Sequence, residues 1–266
     1  MKKFISTALM SFIVATSTST SFAAPIKNET INQVALLQSL ALGYFDGSIT
    51  VKKLKTLGDT GIGTFDGLNG EMIVLDGVVY RANADCKINV VDDAETVPFS
   101  NVTFFDNDFS LKLKNIADKS ELENKLNEIV AKYGENSFYM IKIEANFNKI
   151  LVRSENGQQK PYPTLVKALE NQTEIERENI SGTIVGLYCP HFMSSLNSVG
   201  WHFHFISSDK KFGGHVLQMN IKSGKVQFDK TDNFSMYLPE KNNFQNLNLA
   251  NDMREDIRRA ENDTQS

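Results

Sequence analysis

The stretch Trp201-His202-Phe203-His204-Phe205 constrains this chain more than any other. Aromatic and imidazole side chains alternate along it, and alternation with period two marks a strand. Side chains i and i+2 of a strand share a face, so His202 and His204 stand side by side, about 7 Å apart. Ser207 to Gly214 is polar and rich in turn formers, which predicts a chain reversal. The returning segment Gly213-Gly214-His215-Val216-Leu217 then carries His215 back across from the pair. The chain has 4 histidines, and three of them lie in this hairpin. Three imidazoles on one face form a tripod that leaves a metal ion with open coordination positions, the pattern of catalytic rather than structural sites. His191, in Cys189-Pro190-His191-Phe192, has no comparable partner and reads as a loop or core residue.

The chain of 266 residues opens as an export signal. Met1-Lys2-Lys3 is basic, Phe4 to Val14 is mostly apolar, and small residues around Ala23 offer a cleavage site. Residues 1–23 are therefore expected to be removed and the mature protein to be periplasmic or secreted. The apolar run is too short for a stable membrane anchor, and no later segment is long and apolar enough to span a bilayer. The formal net charge is −4 and becomes more negative when Lys2 and Lys3 leave, which argues against nucleic acid or an anionic membrane as partner. Cys86 and Cys189 are the only cysteines. An exported protein permits a bridge between them, but their sequence positions do not place them together.

Ile31 to Tyr44 carries apolar residues at roughly helical spacing and predicts an amphipathic helix. Gly58 to Arg81 follows as glycine-punctuated strand pattern, with Asn69-Gly70 as a hairpin turn signal and Glu71 just after it. It holds no phosphate-loop or dinucleotide fingerprint. Strand pattern continues through Val97 and Val102. Ser120-Glu121-Leu122-Glu123 reads as a capping box opening a helix with Leu122, Leu126, Ile129 and Val130 on its apolar stripe. A strand is expected from Phe138 to Ala145, and the following segment leads to Arg153. Tyr162 to Leu169 begins as a loop and becomes a short helix. Glu174 to Asn179 reads as a polar link before a strand from Ile180 to Tyr188, a further strand is expected at Lys225 to Phe228, and Leu249 to Ala260 has helical spacing. The whole is a mixed α/β chain with two β-rich parts and flanking helices. Residues 24–175 form the first part, and 176–266 form the second, which carries the histidines on a strand pair.

Three neutral imidazoles leave the charge of a divalent ion unquenched, which makes a strong Lewis acid. Histidine nitrogens suit Zn²⁺ and also iron, copper or nickel. Spacing alone leaves three uses open: hydrolysis by a zinc hydroxide, oxygen chemistry on iron, and stabilisation of an enolate.

Several blocks together resemble the α-acetolactate decarboxylase family. They are Gly61-Ile62-Gly63-Thr64, Leu68-Asn69-Gly70-Glu71-Met72-Ile73 and Pro98-Phe99, then Arg153 followed by Pro161-Tyr162-Pro163, then Gly182-Thr183-Ile184-Val185-Gly186. The histidine hairpin with Asp209 completes them. The likeness runs from about Ile31 to Glu261. It implies zinc-dependent decarboxylation of (S)-2-acetolactate to (R)-acetoin and CO2 through a metal-stabilised enediolate, in a homodimer. It further implies that His202, His204 and His215 hold Zn²⁺ and that Arg153 meets the substrate carboxylate or borders the proton path. Glu71 and Glu261 correspond to acid/base or metal-proximal groups, and Thr64 to a pocket threonine. The alternatives are another metal-dependent lyase, a cupin-like oxygenase, or a non-catalytic metal-binding module on the same scaffold.

Overall fold

The structure, a computed structural model, describes residues 30–240 and 242–262. The expected signal segment and its cleavage near Ala23 lie outside the described residues. The chain opens with β1 (Thr30–Val34), α1 (Leu37–Ala41), β2 (Ile49–Thr50), α2 (Val51–Leu54) and β3 (Thr60–Thr64). Next come β4 (Glu71–Leu75), β5 (Val78–Ala82), β6 (Ile88–Val90), β7 (Thr96–Val97), β8 (Ser100–Thr103) and β9 (Phe109–Ile116). Helix α3 (Lys119–Tyr133), β10 (Phe138–Ser154), α4 (Leu165–Leu169) and β11 (Thr173–Cys189) follow. The chain closes with β12 (Gly200–Ser207), β13 (Gly213–Thr231), β14 (Asn233–Tyr237), α5 (Asn242–Gln245) and α6 (Arg254–Asn262).

The strands form two large sheets, so the fold is mixed α/β with few helices, as expected. One has seven strands in the order β14-β1-β8-β3-β4-β5-β6. The other has five in the order β10-β11-β12-β13-β9, and β10 also pairs with β13, so those strands close into a ring of pairings. Each sheet takes strands from both halves of the chain. Strand β14 pairs with β1, β9 and β10 join β11 to β13, and the 175/176 division falls inside β11.

The alternation at Trp201 to Ile206 sorts side chains between two cores. Trp201, Phe203 and Phe205 enter the core that also holds Leu122, Leu126 and Val130 of α3. Ile206, on the other face, packs with Ile62 and Ile73 of the seven-stranded sheet. His202 and His204 share the face of Ile206 and so point toward that sheet. The glycines of β11 make room for this arrangement. A Cβ on Gly186 would stand 2.6 Å from Phe203 Cδ1, and one on Gly182 would stand 2.4 Å from Phe205 Cε2.

Four local expectations are corrected. Residues 31–44 hold a strand and then a short helix, because β1 lies between β14 and β8 and is buried on both faces. A doubly buried strand shows no alternation, and Ile31, Val34 and Ala35 fall at helical spacing. The polar link at Glu174 to Asn179 is the start of β11, paired residue by residue with β10. The capping box of α3 begins two residues earlier than expected: Asp118 accepts from Glu121 N at 2.8 Å, and Glu121 Oε2 accepts from Ala117 N at 2.8 Å. The apolar stripe is unaffected. The C-terminal helix starts at Arg254 rather than Leu249 and buries Ile257, Ala260 and Glu261. Cys86 and Cys189 are both buried free thiols.

Candidate metal centre and active site

The turn at Ser207 to Gly213 sets the register of the β12–β13 hairpin. Ser207 Oγ accepts from Phe212 N at 3.0 Å and donates to Asp209 Oδ1 at 2.6 Å. In that register His204 faces His215 directly, and on the other side of β13 His215 faces Arg153 of β10. The expected tripod therefore exists as a geometric unit. His202 Nε2 lies 3.1 Å from His204 Nε2 and 2.9 Å from His215 Nδ1.

Neighbouring carbonyls fix which ring nitrogens carry protons. His204 Nδ1 lies 2.7 Å from the Met72 carbonyl on β4, so it donates there and leaves Nε2 as a lone pair. His215 Nε2 lies 3.1 Å from the Glu261 carbonyl, which likewise leaves Nδ1 as a lone pair. A single proton on His202 Nε2 could serve only one of these two lone pairs. Three ring nitrogens thus converge with too few protons to satisfy one another, an arrangement that suits a cation. Burial, helped by the charges of Arg153 and Lys119, pushes His202 down to about 3. Burial also holds His204 and His215 well below the ordinary histidine range. All three rings are therefore neutral near pH 7, the form that binds metal. The backbone acceptors on His204 and His215 are the outer contacts that typically orient metal-bound histidines. The residues fit a divalent ion.

Two carboxyls border the tripod. Glu261 Oε2, from α6, is 3.2 Å from His202 Nε2, and Glu71 Oε2, at the start of β4, is 3.4 Å from His204 Nε2. Burial raises both above the ordinary carboxylate range. Glu155 adds to the rise at Glu71, while Arg153 and Lys119 counter it at Glu261. Glu71 is placed by β3 and β4, where Thr64 and Glu71 are register partners. The chain between them turns through residues 65–70, longer than a two-residue hairpin at Asn69-Gly70. Thr64 lines the cavity with its hydroxyl donated to the Gly70 carbonyl at 2.9 Å.

Arg153 is 3% exposed and already bound by the protein. Its Nη1 donates to Gln172 Oε1 at 3.0 Å, and its Nη2 donates to the Ala260 carbonyl at 2.8 Å. Its Nε is buried with no partner among the described residues. All seven sequence-predicted site residues, namely Thr64, Glu71, Arg153, His202, His204, His215 and Glu261, line one cavity.

Three further residues were not anticipated. Glu155 lines the same cavity, hydrogen-bonds to Glu71 and is pushed up to about 7, first by burial. Lys119, at the start of α3, is largely buried and acts electrostatically on Glu261, His202 and His215. Gln172 links Arg153 to Glu174 Oε1, to which its Nε2 donates at 2.7 Å. The one available signal was the i, i+2 spacing of Arg153 and Glu155 at a strand end, which puts both on one face. Lys119 and Gln172 carry no motif.

The chain matches the alpha-acetolactate decarboxylase sequence family over residues 31–251. It is 40% identical to alpha-acetolactate decarboxylase of Methanosarcina mazei over 88% of this chain and 81% of that protein. It is 34% identical to the Bacillus subtilis strain 168 enzyme over 87% of this chain and 90% of that one. The crystal structure of alpha-acetolactate decarboxylase from Bacillus subtilis strain 168 superimposes with a TM-score of 0.85 at 33% identity, covering 88% of this chain and all of that one. A Staphylococcus aureus protein described as similar to alpha-acetolactate decarboxylase superimposes with a TM-score of 0.82 at 30% identity, covering 87% of this chain. The match spans the strands that carry the histidines, Arg153 and Glu71, and the chain belongs to the alpha-acetolactate decarboxylase family of enzymes.

Proposed function

We propose that this protein decarboxylates (S)-2-acetolactate to (R)-acetoin and CO2 at the His202/His204/His215 centre, with Zn²⁺ as the resident ion. The observation that carries the reading is the convergence of three proton-poor ring nitrogens beside one buried guanidinium and two buried carboxyls. A divalent ion held there supplies a Lewis acid that takes up negative charge developing on the substrate oxygens.

The rest of the work falls to the chain's own residues. Decarboxylation breaks the bond between the carboxyl carbon and its neighbour, and that electron pair stays on the remaining carbon skeleton. A proton must then reach that carbon from one face. Arg153 binds the substrate carboxylate through its uncommitted Nε, since Nη1 and Nη2 already hold Gln172 and Ala260. This differs from an open guanidinium fork, because the protein occupies the fork and so fixes its angle. Glu71 and Glu261 are the acid/base groups. Burial lets them hold a proton nearer neutral pH than an exposed carboxyl would, which suits general-acid work. Thr64 closes the pocket wall, its oxygen left as an acceptor.

The same reading includes export after cleavage near Ala23 and assembly as a homodimer. The deciding experiment supplies 2-acetolactate to purified mature protein, follows acetoin, and measures metal on the same sample. We expect acetoin to form well above the spontaneous rate with one zinc per chain. Bound zinc with no acetoin above that rate would overturn the assignment in favour of an inert metal-binding module.

A further inference from the structure

We infer that Glu155 is a positioning residue that holds the Glu71 carboxyl at the metal centre, and that the end of β10 is built to deliver it there. The inference rests on the proposed function for its catalytic consequence, though not for its geometry.

Glu155 and Glu71 come from different sheets. Glu71 opens β4 of the seven-stranded sheet, and Glu155 follows the last residue of β10 in the five-stranded one. A carboxyl reaching across a sheet boundary needs its backbone pinned on both sides. On one side, Glu71 pairs with Ala82 of β5. On the other, Ser154 Oγ donates to the carbonyl of that same Ala82 at 2.9 Å. The residue before Glu155 is thus tied to the strand partner of Glu71. Beyond Glu155 the chain is pinned again, because Gln158 N donates to the Gly67 carbonyl at 2.7 Å in the connection that leads into β4. Between these two ties Glu155 is 1% exposed and its side chain hydrogen-bonds to Glu71.

This contact restrains the end of the Glu71 side chain. Among the described residues, Glu71 faces His204 Nε2 at 3.4 Å, longer than a good hydrogen bond. Glu155 is the other side chain that this carboxyl bonds to. Arg153, two residues before Glu155, is held just as tightly by Gln172 and Ala260. The end of β10 therefore fixes one group directly and a second through Glu155, both facing the same cavity.

The test compares Glu155→Leu with Glu155→Gln. Glutamine can both donate and accept, so it keeps a hydrogen bond to Glu71 whichever carboxyl carried the proton. Leucine fills similar space without one. Crystal structures of both variants give a readout independent of turnover. We expect the Glu71 carboxyl to leave its place in Glu155→Leu and to stay in Glu155→Gln. With acetolactate, Glu155→Leu should lose roughly 10- to 100-fold in kcat, the scale of a misplacement of about 1 Å. Its metal content should stay unchanged, and Glu155→Gln should recover most of the rate. An unmoved Glu71 in Glu155→Leu would overturn the inference, and so would a Glu155→Gln enzyme as slow as Glu155→Leu. If wild-type protein makes no acetoin, the proposed function falls, while the crystal structures still decide the positioning role.

Discussion

Arg153 and His215 are direct cross-strand partners on β10 and β13, and His204 faces His215 from the opposite side on β12. Three adjacent strands thus carry a guanidinium and two imidazoles in one row. Strand pairing sets their spacing, so loop conformation has little say in it. Rigid elements hold a site more tightly than loops do. Burial does most to keep these rings neutral, and the fixed positive charge of Arg153 beside the row adds to it.

Arg153→Lys should separate charge from shape. Lysine keeps the charge but cannot hold Gln172 Oε1 and the Ala260 carbonyl in one plane. Loss of a hydrogen bond to a charged group costs about 1.5–3 kcal/mol, or roughly a 10- to 100-fold rise in KM. Steady-state kinetics on acetolactate measure it. A KM unchanged from wild type would remove Arg153 from carboxylate binding.

His204→Ala should lose both metal and turnover. It deletes one of three converging nitrogens and leaves the Met72 carbonyl without its donor. Disturbing groups outside the ligand shell typically costs 10- to 100-fold in metal affinity, so removal of a ligand should cost more than about 100-fold. Elemental analysis after dialysis against a chelator checks this. Metal retained at one ion per chain would rule out the tripod.

The hairpin and its tripod were legible because one face of β12 is aromatic and the other carries imidazoles, which leaves period two visible. The adjacent Gly213-Gly214 also marked the reversal. Strand β1 was illegible for the opposite reason. Asn32 and Gln33 are buried there, donating to the carbonyls of Leu57 and of Ala35 and Leu196, so no polar face remained to reveal alternation. The helix start was ambiguous because Asp118 and Ser120 each have a glutamate three residues on. Glu155 was hidden because its partner lies 84 positions away on another sheet, and only tertiary structure joins them.

The metal-free protein should lose stability steeply in acid. His202 is pushed down to about 3, and His204 and His215 are also well below the ordinary value of 6.5. The folded state keeps these rings neutral while the unfolded chain takes up protons, so stability falls as pH drops below 6.5 toward about 3. Glu155 acts in the opposite sense. Its folded carboxyl is pushed up to about 7 against an ordinary 4.5, so it adds stability as pH falls between those values. Glu71 and Glu261 act in the same direction as Glu155. The two sets offset each other between about 6.5 and 4.5, and below 4.5 the histidines act unopposed. Thermal melts of chelator-treated protein from pH 8 to 3 should show a shallow profile and then a sharp fall below 4.5. A fall that begins at 6.5 would mean that the carboxyls titrate normally.

Gly186→Ala should weaken the metal centre without touching a polar group. Gly186 pairs with Phe203, and an added Cβ would stand 2.6 Å from Phe203 Cδ1, 3.0 Å from Cε1 and 3.1 Å from Ile141 Cγ1. Phe203 is 1% exposed and packed in the core against Trp201, stacked at 5.8 Å between ring centroids, so its ring has no open space to enter. The strain must pass into β12, which carries His202 and His204 on either side of Phe203. Overpacking of this kind costs about 1–3 kcal/mol, and each kcal/mol lowers Tm by roughly 2–4 °C in a chain of this size. The expected result is a lower Tm together with weaker zinc retention against a chelator. A lower Tm with unchanged zinc affinity would mean that the strain is absorbed by β11, and that the β11 glycines support the fold without setting the positions of the histidines.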